Sequence, residues 1–501
     1  MRVSGVNNKI AFTAGKIDLY SDFDGTYCPA THASLHIPNE NGYMIAYCDK
    51  MKNFLNATRD DLHFNLTTGR TLGEYESISW LLKMRDFKLP FPQTVITKDG
   101  SDKFVKMSSD DDFYLRNKFP FDYNSPQKDK ELDIKNLTNW DGDKIHAELK
   151  NLTDKYHIKL IEADSQNSVS DYGEKSLFSK GKLNPDEWKK LPLNNGKIQE
   201  HKTPIAEYVL GSRNDGKLKF NLIFPPDYGF CPDRNWIYDN FVGDLKKYLD
   251  SQKIQYHIDW EPADETNHHR ISCSITPKIE DRALTKLYDT KKALKQAIKN
   301  NDIVIAAGDG SNDFDMLNPL EYLDKDFVKS CEENSSHKDF YKKDMQEKFK
   351  DLQKVYSGEN NPYINGLRKE LSENGYLKKI EDLPIYGIVM KKKDSKLQSL
   401  IDTFARINKI IVADFGGLDE GIKKVIKIHA EKNKAFNTSM SENLYTLIFG
   451  AKKKSGGNYK SIKAVTGLIL AGLSGYAGYH FVNRKKGNDN GSNTNIKSSN
   501  K

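Results

Sequence analysis

The first hundred residues of the chain alternate between short strand-like runs of hydrophobic residues and longer segments with helical spacing. The strand-like runs cover residues 16–21, 61–66 and 94–97, and turn residues follow each of them. Helices are predicted between these strands, over residues 43–55 and 72–83. Strands that alternate with helices are typical of α/β proteins, so the sequence predicts an α/β domain with a parallel sheet.

The pattern changes over residues 106–285, where polar loops, lysines and isolated strand-like runs replace the regular alternation. The clearest of these runs are residues 219–224 and 270–275. The α/β pattern then resumes with a helix predicted over residues 285–300 and a hydrophobic strand over residues 303–307. Because the same pattern stands on both sides, the sequence predicts an α+β domain inserted into the α/β domain.

A chain of 501 residues is too long for one ordinary hydrophobic core, and several regions are predicted. In order they are a leader (1–15), the first part of the core (16–105), the inserted domain (106–285), the second part of the core (286–450), an apolar segment (464–482) and a disordered tail (487–501). Within the second core part, residues 324–381 are highly charged. They are interpreted as solvated helices on the surface, with a partner-binding insert as the alternative.

Composition narrows the class of protein. The chain is 37% hydrophobic and 29% charged, and its net charge of +7 comes from 77 basic and 70 acidic residues. A balance this mild gives no indication of nucleic-acid binding. The five cysteines are scattered and have no zinc-site spacing, which favours reduced thiols in a cytoplasmic protein. Residues 1–15 lack a continuous apolar stretch, so no secretory signal peptide is predicted.

The apolar segment 464–482 has no formal charge, and Lys463 and Arg484 flank it. A stretch of about 20 apolar residues is long enough to span a bilayer. Four glycines and His480 make this one only modestly apolar. The segment is therefore interpreted either as a membrane tether at the C-terminus or as a buried or interfacial hairpin.

Two carboxylates follow the first predicted strand, in the sequence Asp-Phe-Asp-Gly-Thr at residues 22–26. Ligands of open α/β sheets bind at the carboxyl ends of the strands. Asp22 is placed to attack a phosphoryl group, and Asp24 to act as general acid and base. Two carboxylates facing a phosphate require a cation, and Mg²⁺ suits oxygen ligands. The alternative interpretation is an acidic turn after a strand.

A hydroxyl and a glycine follow the second predicted strand, at Thr68 and Gly69. The Thr68 hydroxyl and the Gly69 N–H group suit a phosphate oxygen, and Arg70 and Glu74 are expected to reach a substrate. The alternative is that Thr68 caps the following helix. The residues expected to bind phosphate or substrate are Thr26, Gly69, Arg70, Glu74 and Asn312.

A second acidic turn, Gly-Asp-Gly-Ser-Asn-Asp at residues 308–313, ends the strand predicted over residues 303–307. Asp309 is expected to complete a metal site with Asp22 and the backbone carbonyl of Asp24, while Asn312 and Asp313 orient it. The alternative is an ordinary turn rich in Asp, Gly and Asn. The residues of the predicted metal site are Asp22, Asp24, Asp309 and Asp313.

This ordered set of motifs resembles the haloacid-dehalogenase (HAD) phosphohydrolase superfamily. The position of the insertion resembles the C2-capped subgroup, and within it the chain looks most like the sucrose-phosphate phosphatase type. Tyr75, Trp80 and residues 92–104 echo the pattern of that type, and residues 383–389 and 413–422 resemble its later strand and its closing segment. The resemblance implies a Rossmann-like core with a C2-type cap and Mg²⁺-dependent hydrolysis of a small phosphorylated metabolite. Alternatives are another C2-capped phosphatase or a phosphomutase, and an inactive scaffold that binds a partner.

The resemblance also implies a lysine that neutralises the nucleophile and the phosphate. The family's usual Lys-Gly-x-Ala-Leu is absent, and residues 290–294 read Thr-Lys-Lys-Ala-Leu. Lys291 is the preferred catalytic lysine, with Lys292 and Lys286 as alternatives. Solvated lysines on a helix are the alternative for all three.

Overall fold

The computed structural model describes most of the chain between residues 17 and 450. The described residues are 17–29, 41–70, 72–84, 86–107, 121–122, 134–156, 159–163, 205–209, 218–223, 238–261, 270–279, 282–391 and 395–450. The chain divides into two compact units, Met1–Ile448 and Phe449–Lys501. The apolar segment 464–482 and the tail predicted over residues 487–501 lie outside the described residues. Among those described, no helix is both long and apolar enough to cross a membrane.

Fourteen strands are described, and they form two sheets. They are β1 (Ile17–Asp22), β2 (Leu62–Thr67), β3 (Thr94–Thr97), β4 (Asp102–Lys106), β5 (Phe121–Asp122), β6 (Lys159–Ala163), β7 (Ile205–Val209), β8 (Leu218–Ile223), β9 (Tyr256–Glu261), β10 (Arg270–Ile279), β11 (Arg282–Ala283), β12 (Ile303–Gly308), β13 (Ile385–Met390) and β14 (Ile410–Ala413). The strands predicted from the sequence are confirmed, with ends that shift by a few residues.

The described α-helices follow the same chain order. They are α1 (Asn41–Ala57), α2 (Leu72–Met84), α3 (Gly142–Lys155), α4 (Gly243–Ser251), α5 (Leu287–Asn300), α6 (Phe314–Leu317), α7 (Lys325–Glu333), α8 (Lys338–Lys342), α9 (Met345–Ser357), α10 (Pro362–Glu373), α11 (Tyr376–Asp382), α12 (Ser395–Phe404), α13 (Leu418–Lys432), α14 (Lys434–Ser439) and α15 (Glu442–Phe449). Short 3-10 turns occur at Lys98–Gly100, Ser311–Asp313 and Pro319–Tyr322, and a π-helical turn occurs at Tyr238–Val242.

The larger sheet has eight strands in the order β14-β13-β12-β1-β2-β3-β4-β5. Its first six strands are parallel, and β4 and β5 pair antiparallel at the edge. The protein is therefore α/β with a mostly parallel central sheet. The buried runs of β1 and β12 are paired from Ile17 and Ile303 to Ser21 and Ala307. The carboxyl ends of both strands therefore lie side by side, at what is called here the carboxyl edge of the sheet.

The order of the strands reverses at β1. The chain builds β2 and β3 on one side of β1, and later builds β12, β13 and β14 on the other side. Crevices at such a reversal are where open α/β sheets bind ligands. The turns that follow β1 and β12 meet at this point.

A second sheet forms between β5 and α5. Its order is β11-β10-β8-β7-β6. Strand β9 also pairs with β10, on the side opposite β8. Most pairs are antiparallel, and β6 with β7 is parallel. Helices α3 and α4 contribute to a separate apolar cluster with these strands, which includes Trp140, Leu149, Phe220, Leu245 and Ile275. These strands and helices lie in the chain between the two parts that form the main sheet.

The charged segment 324–381 differs from its prediction. Its helices α7 to α11 bury Phe340, Leu352, Leu367 and Tyr376 in the same apolar cluster as Val389 of β13. The interpretation as plain solvated helices is wrong, because these helices also carry buried apolar residues. Apolar residues at helical spacing on the inner faces make this segment part of the main core.

Candidate active site

Asp22 is the last residue of β1, and its side chain is buried at the edge where β12 also ends. Its Oδ1 accepts a hydrogen bond from the Lys286 ammonium at 2.6 Å. Lys286 lies immediately before α5 and is only 1% exposed. A helix that begins at this edge brings its first residues to the strand ends, so the lysine reaches Asp22 without leaving the interior.

Asp313 joins the lysine to the second acidic turn. Its Oδ1 accepts from the Lys286 ammonium at 2.7 Å, and its Oδ2 accepts the N–H groups of Asp309 at 3.0 Å and Gly310 at 3.1 Å. Both oxygens are thus engaged, and Asp313 orients the turn and the lysine together. The Cβ of any residue larger than glycine at position 308 would lie 2.5 Å from Asp313, so the turn needs Gly308.

The pKa values in this group follow from burial and pairing. Burial raises the pKa of Asp22 well above its usual value, the nearby Asp313 charge adds to the rise, and Lys286 opposes it. Burial also raises the pKa of Asp313, again opposed by Lys286. For Lys286, burial lowers the pKa, but attraction to Asp22 and Asp313 outweighs burial and raises it. The lysine is therefore an ammonium in this site.

Arg70 binds the carboxylate of Asp24. Its Nε donates to Asp24 Oδ2 at 2.7 Å and its second terminal nitrogen donates to Oδ1 at 2.9 Å. Such a two-point pair fixes the plane of the carboxylate as well as its charge. The contact of Arg70 with substrate stays a prediction, and the Asp24 carboxylate is not part of the group formed by Asp22, Asp309 and Asp313.

Gly25 lets the first acidic turn approach the second. Its φ of 73° is left-handed, and a Cβ there would lie 2.3 Å from Asp309 Oδ2. The neighbouring Thr26 is fully buried, and its hydroxyl donates to Asp309 Oδ1 at 3.4 Å. Thr26 therefore orients Asp309, whereas the sequence assigned it to phosphate.

Thr68 and Gly69 lie beside the same edge. The Thr68 hydroxyl accepts the N–H of Arg70 at 3.2 Å and can still donate its own hydrogen. Because α2 begins at Leu72, this hydroxyl caps the turn rather than the helix, and the helix-cap alternative does not hold. Glu74 lies in α2, with a side chain outside the described set. Asn312 is exposed on the second acidic turn.

The preferred lysine of the sequence prediction is corrected. Lys286 contacts Asp22, while Lys291 lies further along α5 and is half-buried. Each helical residue advances about 1.5 Å along the axis, so five residues carry Lys291 roughly 7.5 Å along the helix from the strand ends. The available signal was the position of Lys286 at the return of the chain from the inserted domain, in the first turn of the helix predicted before the hydrophobic strand.

The sequence prediction gave no role in the site to the turn Lys98–Gly100 after β3. It passes close to two parts of the site. A Cβ on Gly69 would lie 3.0 Å from Asp99 Oδ1, and a Cβ on Gly100 would lie 2.7 Å from the carbonyl oxygen of Thr285. The Asp99 charge also contributes to the raised pKa of Lys286.

The acidic group suits a divalent cation. Asp22, Asp309 and Asp313 offer ligand atoms that all lie within 4.8 Å of one another, and all three residues are buried. Lys286 supplies one positive charge against these three carboxylates, which leaves an excess of negative charge that a buried site must compensate. Oxygen donors of this kind are those that Mg²⁺ prefers. Since Asp313 is already bonded at both oxygens, Asp22 and Asp309 are the better ligands.

Comparisons with known proteins yield only distant similarity. No family model matches the chain, and no curated protein matches it. A solved structure of a hypothetical protein from Geobacillus kaustophilus HTA426 has 12% identity and a TM-score of 0.34, over 81% of this chain and 98% of that one. A protein from Thermotoga maritima has 10% identity and a TM-score of 0.30, over 81% and 94%. Similarity this low supports no argument about activity.

A third solved structure, from Thermoplasma acidophilum, has 10% identity and a TM-score of 0.28, over 82% of this chain and 97% of that one. It adds no further constraint.

Proposed function

We propose that this chain is a Mg²⁺-dependent phosphatase of the HAD superfamily, with an aspartyl-phosphate intermediate on Asp22. The observation that supports the proposal most is the buried Lys286 ammonium, bonded to Asp22 at 2.6 Å and to Asp313 at 2.7 Å. A carboxylate held beside a fixed cation at the carboxyl ends of two central strands suits attack on an anionic group.

In the first step, Asp22 attacks the phosphorus atom and forms an acyl-phosphate bond, while the ester bond to the leaving oxygen breaks. Lys286 holds Oδ1 of Asp22, so the attack is assigned to Oδ2. The ammonium keeps the carboxylate oriented and neutralises charge that gathers on the phosphoryl oxygens. Thr68 offers its hydroxyl hydrogen to one of those oxygens.

Asp24 moves the protons. It gives a proton to the leaving oxygen in the first step and takes one from the water that attacks phosphorus in the second, which releases phosphate and restores Asp22. Arg70 engages both oxygens of Asp24, at 2.7 and 2.9 Å. Substrate binding must therefore open one of these bonds before proton transfer.

Mg²⁺ would be held by Asp22 and Asp309, together with the backbone carbonyl of Asp24, and it would neutralise negative charge of the phosphoryl group. Asp313 and Thr26 orient these ligands through the contacts described above. Gly25 permits the close approach of the two acidic turns.

The inserted domain is proposed as a C2-type cap that selects the substrate and excludes water during the reaction. The resemblance to the sucrose-phosphate phosphatase type supports a sugar phosphate as the substrate. A phosphorylated polyol or nucleotide would need the same chemistry at Asp22 and different contacts in the cap.

The test is phosphate release by the full chain from a panel of sugar, polyol and nucleotide phosphates, with Mg²⁺ or with EDTA. Asp22→Asn is measured beside the wild type. Release that requires Mg²⁺ and disappears in the variant supports the proposal, and the best substrate defines the selectivity of the cap. Equal behaviour of the wild type and Asp22→Asn would refute it.

A further inference from the structure

We propose that Gly100 is a positioning residue for Lys286: it seats the backbone at Thr285 and so holds the ammonium against Asp22. The inference rests on the proposed phosphatase function, because it concerns the lysine of that site. It assigns a role to the turn Lys98–Gly100, which lies between the strand that leads to the inserted domain and the segment that returns from it.

The backbone around Lys286 lies between two apolar clusters, and its neighbours divide between them. Leu284 is buried in the apolar cluster of the inserted domain, and its N–H group donates to the carbonyl of Pro277 in β10 at 2.8 Å. Tyr288 packs against the same cluster, whereas Leu287 belongs to the main core. Lys286 therefore lies where the chain changes from one core to the other.

Gly100 provides a contact from the main sheet at this point. A Cβ built on Gly100 would lie 2.7 Å from the carbonyl oxygen of Thr285, 3.1 Å from its carbonyl carbon and 3.6 Å from the Lys286 nitrogen. Real Cβ atoms do not approach backbone atoms this closely. The backbone of Thr285 thus packs directly against Gly100, in the space that a side chain at position 100 would occupy.

The turn is held in an unfavourable conformation that its surroundings stabilise. The φ angles of Lys98, Asp99 and Gly100 are 50°, 54° and 108°, so three consecutive residues have positive φ. Non-glycine residues in this region cost of order 1 kcal/mol each and persist when neighbouring contacts fix them. Here the buried Lys98 ammonium pairs with Asp102 at 3.1 Å, and the Ser101 hydroxyl donates to the Lys98 carbonyl at 3.0 Å.

The same turn supports the Thr68–Gly69–Arg70 segment. The N–H of Lys98 donates to the carbonyl of Arg70 and the N–H of Asp99 donates to the carbonyl of Thr68, both at 2.9 Å. One strained turn therefore contacts two separate parts of the site. This arrangement gives a physical reason for keeping the strain, since it fixes both parts to the main sheet.

The first test compares Gly100→Ala with Gly358→Ala. Both glycines have positive φ, 108° and 78°, but a Cβ at Gly358 meets nothing within 4 Å. Only Gly100→Ala therefore displaces a neighbour, and it is expected to lower kcat for p-nitrophenyl phosphate about 100-fold with little change in KM, as a misplacement near 1 Å can do. Gly358→Ala should keep the wild-type kcat. A wild-type kcat in Gly100→Ala would overturn the proposal.

A second test separates positioning from general destabilisation. If Gly100 acts only through Lys286, the double variant Gly100→Ala with Lys286→Met should be no slower than Lys286→Met alone. Multiplied losses would contradict the proposal. Should Gly100→Ala fail to fold, Asp102→Asn replaces it, since it removes the partner of Lys98 and keeps the shape of the side chain.

A third measurement does not depend on activity. Backbone amide exchange over residues 284–290 should be faster in Gly100→Ala than in the wild type, and unchanged in Gly358→Ala. If the wild type releases no phosphate but exchange rises in this way, the proposed function fails while the support of Lys286 by Gly100 stands. Unchanged exchange in Gly100→Ala refutes the support itself.

Discussion

Among the described residues, the two most deeply buried lysines lie at opposite edges of the main sheet, and their surroundings differ. Lys286 and Lys409 are each 1% exposed. Lys286 lies where β1 and β12 end, among carboxylates. Lys409 lies just before β14 begins, and its ammonium donates to the backbone carbonyl of Leu383.

Equal burial leads to opposite shifts in the pKa of these lysines. For Lys286, attraction to Asp22 and Asp313 exceeds the cost of burial, so its pKa is raised. For Lys409, burial and then the charge of Lys432 lower the pKa to about 7, and nearby carboxylates offset this only in part. The partners, and not the burial, decide whether a buried lysine keeps its charge. The carboxyl edge therefore holds a lysine that keeps its charge, and the amino edge holds a lysine whose pKa lies at about 7.

The largest expected effect comes from removing the cation at the carboxyl edge. Lys286→Met should lower kcat for phosphate release about 10²- to 10³-fold, because one fixed electrostatic partner is lost from the site. The matched control is Lys409→Met, which removes an equally buried lysine and should leave kcat near the wild-type value. The measurement is the steady-state kcat of the wild type, Lys286→Met and Lys409→Met. Equal losses in both variants would mean that burial, and not location, explains the effect.

The next effect concerns the metal. Since the acidic group at the carboxyl edge carries excess negative charge, Mg²⁺ at about 100 times its Kd should raise the free energy of unfolding by about 2.7 kcal/mol. Urea unfolding with Mg²⁺ and with EDTA measures this difference. Asp309→Asn should lose most of the gain, and Lys409→Met should keep it. A gain of the same size in Asp309→Asn would exclude Asp309 as a ligand.

A further effect, which depends on pH, is expected from the amino edge. The pKa of Lys409 is about 7 in the fold, against about 10.4 for an unpaired lysine in an unfolded chain. Between these values the unfolded chain binds more protons, so the free energy of unfolding rises with pH by up to about 1.4 kcal/mol per unit. Below pH 7 the destabilisation by Lys409 is complete. Chemical unfolding from pH 7 to 10 should show this rise in the wild type and a shallower one in Lys409→Met; parallel curves would contradict it.

The smallest effect is expected at the lysine that the sequence preferred. Lys291→Met should change kcat by no more than a factor of about two, because a half-buried lysine further along α5 resembles an ordinary surface position. The same phosphate-release assay applies. A loss comparable to that of Lys286→Met would restore Lys291 to the site and weaken the comparison of the two edges.

The strands that precede the acidic motifs could be predicted from the local pattern of apolar residues. Runs of apolar residues followed by Asp and Gly predicted the ends of β1 and β12, and the structure places them at one edge. The inserted unit was also readable, since its polar loops interrupt the α/β alternation. The charged segment 324–381 was misread because charge density hides apolar residues at helical spacing, such as Phe349 and Leu352.

The partners of individual side chains were harder to predict from the sequence than the strands and helices. Nothing in the sequence near Arg70 indicates that it pairs with Asp24, since the two lie on different strand ends and meet only through the sheet. The choice among lysines failed for a related reason. A motif at residues 290–294 drew attention to the helix, while the direction of α5 decides which lysine faces Asp22.

The sequence by itself determined the α/β pattern, the insertion and the acidic turns, because these depend on hydrophobic spacing and on residue types that are local in the chain. Only the tertiary structure decided that Lys286 is the buried cation and that Gly100 lies against Thr285. These contacts join residues far apart in sequence, and their strength comes from burial and pairing that exist only after the sheet has formed. Local pattern therefore fixes which groups are present, and packing fixes which of them meet.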